Sequence, residues 1–335
     1  MTTSVIVVAY HSGASLLRCL ESLAPDRQGE VEVVVVDNGG GDEIAEAGAL
    51  PYVRLLVPGR NLGYAAGSNL GARVASGDVL VFLNPDTVAA PGAISRMADV
   101  LRDESIGIAM ARLRLLDEPE RLNSSGNVLH LSALAWMGDY GKPVELVSET
   151  REITYACGAS LAIRSRLFHE LGRFTDRLFL YHEDVELGWR ARMRGLRVVI
   201  DPGADVYHDY DFARNTRKNY FMERNRLIFV LSAYSTRLLL VLAPVLVSAE
   251  VALVVLAARE GWLRDKLAGW AWCARRPRWL LHHRDETQRL RRVPDRVLAR
   301  YLTPVIDPGA VGVPLAARLA NPLISAYWAL VRQAL

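Results

Sequence analysis

The stretch Val79–Val88, VLVFLNPDTV, limits what this chain can fold into more than any other. Five apolar residues follow Gly77-Asp78 and run straight into Asn84-Pro85-Asp86. A short, unbroken apolar run bounded by turn residues predicts a strand buried on both faces. Pro85 fixes φ at the carboxyl end of that strand, where ligands sit in an open α/β sheet. Asp86 is therefore placed to hold a divalent cation or a ribose. A turn, or a helix N-cap before Pro91, is the structural alternative.

The first hundred residues repeat this alternation. SVIVVA (4–9) precedes a helix over Ala14–Leu23, and VEVVVVD (31–37) precedes Gly39-Gly40-Gly41-Asp42 and a short helix. YVRLLV (52–57) precedes a small-residue helix over Gly63–Ala75. The β-α-β-α-β-α-β order predicts a mostly parallel sheet with helices on both faces. Thr154–Ile163 reads as a further core strand, Glu183–Arg194 as a helix, and 196–201 and 204–208 as strands. The dinucleotide fingerprint belongs after the first strand, and AYHSGAS offers one glycine there. The glycines of Gly63–Gly71 suit either close approach of a phosphate or sugar or a tight helix–sheet contact.

Three cysteines, Cys19, Cys157 and Cys273, lack metal-ligand spacing, which favours a reducing, cytoplasmic setting. The net charge of +3 conceals an asymmetry. From Leu231 onward 15 basic residues stand against 7 acidic ones, a balance of +8. No aromatic-plus-basic nucleic-acid motif accompanies this excess, so no nucleic-acid partner is expected and an anionic membrane surface fits better. Residues 238–258, LLLVLAPVLVSAEVALVVLAA, are long enough to span a bilayer. Glu250 near their middle would cost roughly 2.5–3.5 kcal/mol there, and Pro244 kinks the helix. Trp262, Trp270, Trp272 and Trp279 among arginines then form an interface-like belt, favouring association in the membrane plane.

Three further clusters carry chemistry. In LFLYHEDVELGWRARMRG (178–195), Glu183, Asp184 and Glu186 lie at a loop-to-helix junction, where acids also serve as ordinary caps. Arg190, Arg192 and Arg194 follow and are candidates to neutralise a phosphorylated substrate. In DVYHDYD (205–211), His208 ends a strand close to Asp209 and Asp211, and an imidazole suits a transition-type divalent ion. Asp37, closing the second strand, is placed to accept from a nucleobase or ribose.

Together these segments resemble the family 2 glycosyltransferases with the GT-A fold. SVIVVAYHSGASLLRCLESL, VVVVDNGGGD, NLGYAAGSN, GDVLVFLNPDT, ACGASLAIRSRLFHELGRFTD, YHEDVELGWRARMRG and VYHDYD fall in the family's order. The likeness is greatest to bacterial rhamnosyltransferase-like members, which carry NPD in place of a stricter DxD. It covers about residues 3–230, so a catalytic domain at 1–230 and a helical, membrane-associated region at 231–335 are expected. The processive synthases' Gln-x-x-Arg-Trp signature is absent, which implies single addition.

The resemblance implies roles residue by residue. Ala9, Tyr10, Asp37 and Asn61 would bind the nucleotide-sugar, with Asn84 and Asp86 in the metal and diphosphate motif. Asp86 and His208 would ligate Mg²⁺ or Mn²⁺. Asp184 would be the general base, with Glu183 and Trp189 touching the acceptor. His11 stands where an Asn is common, and Asn84 replaces a carboxylate. The implied reaction is inverting transfer of one sugar, with L-rhamnose from dTDP-rhamnose the leading donor. The implied acceptor is a cell-envelope glycan or polyprenyl-diphosphate-linked acceptor at the cytoplasmic face of the membrane. A non-catalytic binding domain and a nucleotidyltransferase are the alternatives.

Overall fold

In a computed structural model, the structure describes residues 1–24, 31–209, 217–307 and 315–335. The chain divides into two compact units. The first comprises Met1–Asn127, Met137–Ala191 and Leu196–Asp211, and the second Val128–Trp136, Arg192–Gly195 and Phe212–Leu335.

The first unit is an α/β sheet. Its elements begin β1 (Thr3–Ala9), α1 (Ala14–Ser22), β2 (Val31–Asp37), α2 (Asp42–Ala49), β3 (Val53–Leu56), α3 (Gly63–Val74) and β4 (Val79–Leu83). They continue with β5 (Thr87–Ala89), α4 (Ala93–Val100), β6 (Ile106–Leu115) and β7 (Leu122–Ser124). After β8 (Asn127–His130) and β9 (Ala135–Met137) come β10 (Arg151–Glu152), β11 (Ser160–Arg164), α5 (Ser165–Glu170), α6 (Glu183–Met193) and β12 (Arg197–His208).

The main sheet runs β10-β12-β6-β11-β4-β1-β2-β3. Strands β3, β2, β1 and β4 are parallel, as the alternation predicts. Beyond β4 the sheet is mixed, because β11 enters antiparallel to both β4 and β6. All five residues of β4 are buried, since β1 and β11 flank it and helices cover its faces. The chain order reverses between β1 and β4, the kind of switch point outside which ligands bind.

Two local expectations change, and one open alternative is narrowed. Thr154–Ile163 is not one strand: Tyr155 makes an isolated bridge to Asn127, continuous pairing begins at Ser160, and the turn between them lies beside Asp184. The stretches 196–201 and 204–208 are one strand, β12, with a register shift between Asp201 and Asp205. The glycines of α3 serve packing, because a Cβ at Gly67 would lie 2.9 Å from Val8 and one at Gly71 2.6 Å from Ile6.

The second unit is helical. It holds α7 (Lys218–Ala233), α8 (Thr236–Glu260), α9 (Leu263–Ala274), α10 (Pro277–Arg289), α11 (Asp295–Leu298), β13 (Leu302–Thr303) and α12 (Leu315–Val331). A small sheet, β13-β8-β9, adds to it. The one charge within the apolar run is answered here. Glu250 accepts from Arg226 and from Lys266 Nζ at 3.0 Å, and Glu223 accepts from the same two cations. Two acids and two bases thus neutralise one another, as buried charges require. Trp270 Nε1 donates to Glu250 at 3.2 Å. Among the described residues α8 is the one helix long and apolar enough to cross a membrane.

Gly63 opens α3 at φ +77°, and an added Cβ would lie 2.5 Å from the Phe179 carbonyl oxygen. Gly63→Ala is therefore expected to cost roughly 1–3 kcal/mol through strain and overpacking. A lowered urea midpoint at unchanged m-value would show it.

Candidate active site

Residues at the carboxyl ends of β1, β2 and β4 form one end of the site. Parallel pairing sets Ala9 opposite Asp37. Asn38 N donates to Ala9 O at 2.8 Å, and His11 N to Gly39 O at 2.9 Å, which ties the two strand exits together. Asp37 Oδ1 accepts from Gly39 N and Gly40 N at 2.9 and 2.8 Å, so one oxygen shapes the turn. Tyr10 is 54% exposed, its ring edge-on to His11. His11 itself sits at φ +47°, a left-handed conformation. Asn, Asp and His tolerate it best, which explains why His can stand where an Asn is common.

Asn61 is exposed, and its Oδ1 accepts from Gly63 N at 2.8 Å at the start of α3. Asn38, which sequence reading passed over, is buried beside it. Its amide donates to Gly63 O and accepts from Leu62 N, locking α3 to the end of β2.

The second constellation joins Asp86 to His208. After Asn84-Pro85 the chain pairs back as β5, antiparallel to the end of β12, with Thr87 opposite His208. The Asn84 carbonyl is held by Thr87 Oγ1 at 2.7 Å, and Asp209 N donates to Asp86 O at 2.9 Å. His208 Nε2 consequently lies 3.4 Å from Asp86 Oδ1. On the other side of the ring, Nδ1 lies 3.1 Å from Asn123 Oδ1. An amide oxygen only accepts, so Nδ1 carries a proton and Nε2 is the ring nitrogen that faces Asp86.

A ring nitrogen and a carboxylate oxygen this close suit a shared proton or a cation between them. Two donors ~2.1 Å from one metal can be at most about 4.2 Å apart, and this pair fits. Among the described residues no cluster of three or more His, Cys, Asp or Glu could hold a metal ion. A cation here would need substrate oxygens and water to complete its shell, as Mg²⁺ commonly does. Asn123 was missed because it lies 85 residues from His208 on a different strand. Asp211 lies outside the described residues.

The third constellation is the first turn of α6. Asp184 Oδ2 accepts from Gly158 N at 3.1 Å and Oδ1 from Val185 N at 2.8 Å. Packed surroundings desolvate it and push its pKa up to about 6, against the lowering effect of those N–H groups. Glu183, 5% exposed, is held well above the usual carboxylate range by burial and then by the Asp184 charge. Its Oε2 has no hydrogen-bond partner among the described residues. Asp184, at about 6, is ionised at neutral pH, while burial and the Asp184 charge hold Glu183 well above the usual carboxylate range.

Glu186 serves the fold, accepting from Thr175 Oγ1 at 2.6 Å and pairing with buried Arg190 at 3.1 Å. Arg192 Nη1 donates to Tyr301 Oη at 2.9 Å, and its guanidinium stacks on that ring. Neither arginine is available to a phosphorylated substrate. Trp189 is 1% exposed and packs in the interior, so the expected contact with an acceptor is not made by its ring.

The turn before β11 links the second and third constellations. Ala159 O accepts from Asn84 N at 3.0 Å, the adjacent Gly158 N holds Asp184, and Tyr64 Oη donates to Gly158 O at 2.6 Å.

The family model for glycosyl transferase family 2 matches residues 4–172, half of the chain. The protein belongs to glycosyltransferase family 2. Among its relatives is the N-acetylglucosaminyl-diphospho-decaprenol L-rhamnosyltransferase of Mycobacterium tuberculosis, 28% identical over 61% of this chain and 75% of that protein. Another is the low-salt glycan biosynthesis hexosyltransferase Agl10 of Haloferax volcanii, 24% identical over 69% of this chain and 76% of its own.

Two solved structures share the fold. GalNAc-T7 with UDP, GalNAc and Mn²⁺ superposes with a TM-score of 0.59 at 19% identity, over 69% of this chain and about half (48%) of that one. The mannosyltransferase PcManGT from Pyrobaculum calidifontis, with GDP-Man and Mn²⁺, gives 0.50 at 16% identity, covering 99% and 86%. The fold of this glycosyltransferase is GT-A.

Two outcomes are expected from this geometry. With Asp184 active as the carboxylate, kcat/KM should be level above pH about 6 and fall about tenfold per unit below it. Asn123→Leu, which removes the acceptor that fixes the His208 ring, should weaken divalent-cation affinity by ~10–100-fold. Calorimetric titration with Mn²⁺ would measure it.

Proposed function

We propose that this protein is an inverting glycosyltransferase that adds one sugar from a nucleoside-diphosphate donor to a hydroxyl of a lipid-linked or cell-envelope glycan. The observation that carries this reading is Asp184, a half-buried carboxylate with a pKa near 6, held by two backbone N–H groups. A base of that strength is ionised at neutral pH and strong enough to take the proton of an acceptor hydroxyl as it attacks. Such a base typically contributes ~10²–10⁴-fold. One base opposite the leaving group suffices for inversion, whereas hydrolases need two carboxyls.

Tyr10, Ala9 and Asp37 are assigned to the nucleoside, with the exposed Tyr10 ring available for stacking. Asn61 and Asn84 are assigned to the sugar and diphosphate. Asp86 and His208 would hold a divalent cation, Mg²⁺ or Mn²⁺, which neutralises charge on the departing diphosphate. Asn123 keeps the His208 ring turned toward Asp86. Glu183 lies buried beside Asp184, its own pKa held well above the usual carboxylate range by burial and by the Asp184 charge.

L-rhamnose from dTDP-rhamnose is the proposed donor, and a polyprenyl-diphosphate-linked glycan the proposed acceptor. The name of the mycobacterial relative, an L-rhamnosyltransferase acting on a diphospho-decaprenol-linked sugar, supports the rhamnosyl group and the class of acceptor. The +8 balance of the chain from Leu231 onward supports a peripheral position at the cytoplasmic face of the membrane.

A screen of nucleotide-sugars against a polyprenyl-diphosphate-linked glycan, read by nucleoside diphosphate release and product mass, tests the reading. Transfer should appear with one donor, stop with chelator and return with Mn²⁺ or Mg²⁺. Asp184→Asn should lower kcat at least about a hundredfold with donor affinity nearly unchanged. Asp86→Ala should weaken both donor and cation binding. Donor binding without turnover under any condition would establish a non-catalytic domain instead, and release of pyrophosphate from a nucleoside triphosphate would establish a nucleotidyltransferase.

A further inference from the structure

Two helices of the second unit present apolar faces that the protein leaves uncovered. On α8, Leu240, Val247, Val251 and Val255 recur at helical spacing, with Leu240 72% and Val247 64% exposed. On α12, Leu319, Leu323 and Leu330 do the same, Leu323 at 74%. The helices lie antiparallel, because Tyr327 Oη donates to Val241 O at 2.7 Å and Arg237 donates to Ala334 O. At 3.6 residues per turn, antiparallel contact through Tyr327 and Arg237 turns both stripes to the same side. The result is one two-helix apolar face. A groove of about 370 Å³, lined by Leu227, Val230, Val254 and Trp270, shares Val247 and Val251 with it.

We infer that this face is a membrane-docking surface that lies in the bilayer plane with its side chains in the hydrocarbon. This deepens the membrane placement proposed above and rests on it.

Charge selects the occupant. Exposed arginines stand near both ends of each helix, Arg237 and Arg259 on α8 and Arg318 and Arg332 at α12, in a region whose balance is +8. Two copies meeting through this face would bring like charges together, whereas anionic lipid headgroups complement them. Long arginine side chains at helix ends also reach headgroups while the stripe between is immersed.

The opposite side of α8 excludes a span. Leu238, Leu242 and Val245 are buried there, and Glu250 is bound to the buried Arg226 and Lys266. Crossing the bilayer would carry this ion cluster into hydrocarbon together with the helices that hold it. A helix packed on one side and bare on the other suits the interface. The groove beside α8 offers hydrocarbon walls to a lipid chain. Its two charged members, Arg226 and Glu250, are already paired with each other.

The test uses the full chain and vesicles of phosphatidylcholine with or without phosphatidylglycerol, in low salt and at 1 M salt. Binding should strengthen with phosphatidylglycerol at low salt. A fraction should survive 1 M salt, where screening leaves charges a reach of only ~3 Å, because the apolar stripes remain inserted.

Val247→Asp and Leu323→Asp replace exposed side chains, and each should reduce partitioning by at least about tenfold. Leu281→Asp, on an exposed position of α10, should leave it unchanged. Quenching of tryptophan fluorescence by lipids labelled in the acyl chain should fall when Trp270 is replaced by Phe. Wild-type partitioning by both Val247→Asp and Leu323→Asp would overturn the inference. So would a dimer in the absence of lipid that either variant dissolves, since the face would then be a self-interface.

Nucleoside diphosphate release with a short-chain, water-soluble acceptor separates this inference from the transfer reading. The docking variants should retain it. Loss of release in the wild type with intact vesicle binding would instead overturn the transfer reading alone.

Discussion

Three residue pairs between β5 and the end of β12, Ala89 with Val206, Val88 with Tyr207 and Thr87 with His208, hold the candidate site in its arrangement. Without them the chain leaving β4 would be an open loop, and Asp86 would have no fixed relation to a histidine 122 residues away. With them, Asn84 is gripped through its carbonyl by Thr87 and through its N–H by Ala159, and Asp86 faces the His208 ring. The same grip reaches Asp184, because Gly158, next to Ala159, supplies one of its N–H donors. One short antiparallel ladder thus sets both the candidate cation site and the frame of the proposed base.

The first turn of α6 shows how function departs from stability. Glu186, four residues before Arg190, receives a buried cation. Glu183 and Asp184 have no ion pair among the described residues, and burial raises both pKa values. Phe179, Tyr181 and His182, just before them, all adopt positive φ, which is costly for bulky residues. Gly63 leaves the room that Phe179 needs. Strain of this kind persists where surrounding structure enforces it, commonly beside catalytic groups. The protein therefore holds an unneutralised, half-buried carboxylate in place by backbone N–H groups and packing rather than by charge pairing.

The second unit shows how one charge can be misjudged from a one-dimensional pattern. Glu250 reads in sequence as an interruption of a bilayer-length apolar run. In the fold it is the acceptor through which α8 is joined to α7 and α9, by way of Arg226 and Lys266. Its cost in hydrocarbon would be real, but the fold places it on the packed side of the helix. Pro244 lies within α8, and the exposed Val and Leu positions continue on either side of it.

What the sequence determined by itself were features written in local pattern. The unbroken apolar runs of β1, β2 and β4 specify buried strands, and the intervening helices impose their parallel order. The turn residues after β4 mark a strand exit that carries a carboxylate, and motif order points to the family. Tertiary structure alone decided which distant groups meet. Whether Asn123 fixes the His208 ring, whether Gly158 holds Asp184, and which arginines of α6 are used up internally depend on strand register. A sequence pattern with a period of two or 3.6 residues carries no record of it. The antiparallel entry of β11 was hidden for the same reason, since a strand buried on both faces looks alike in either direction. Trp189 was misplaced because an aromatic beside clustered acids reads the same whether it faces a substrate or the core. Only burial, a property of the whole fold, distinguishes the two.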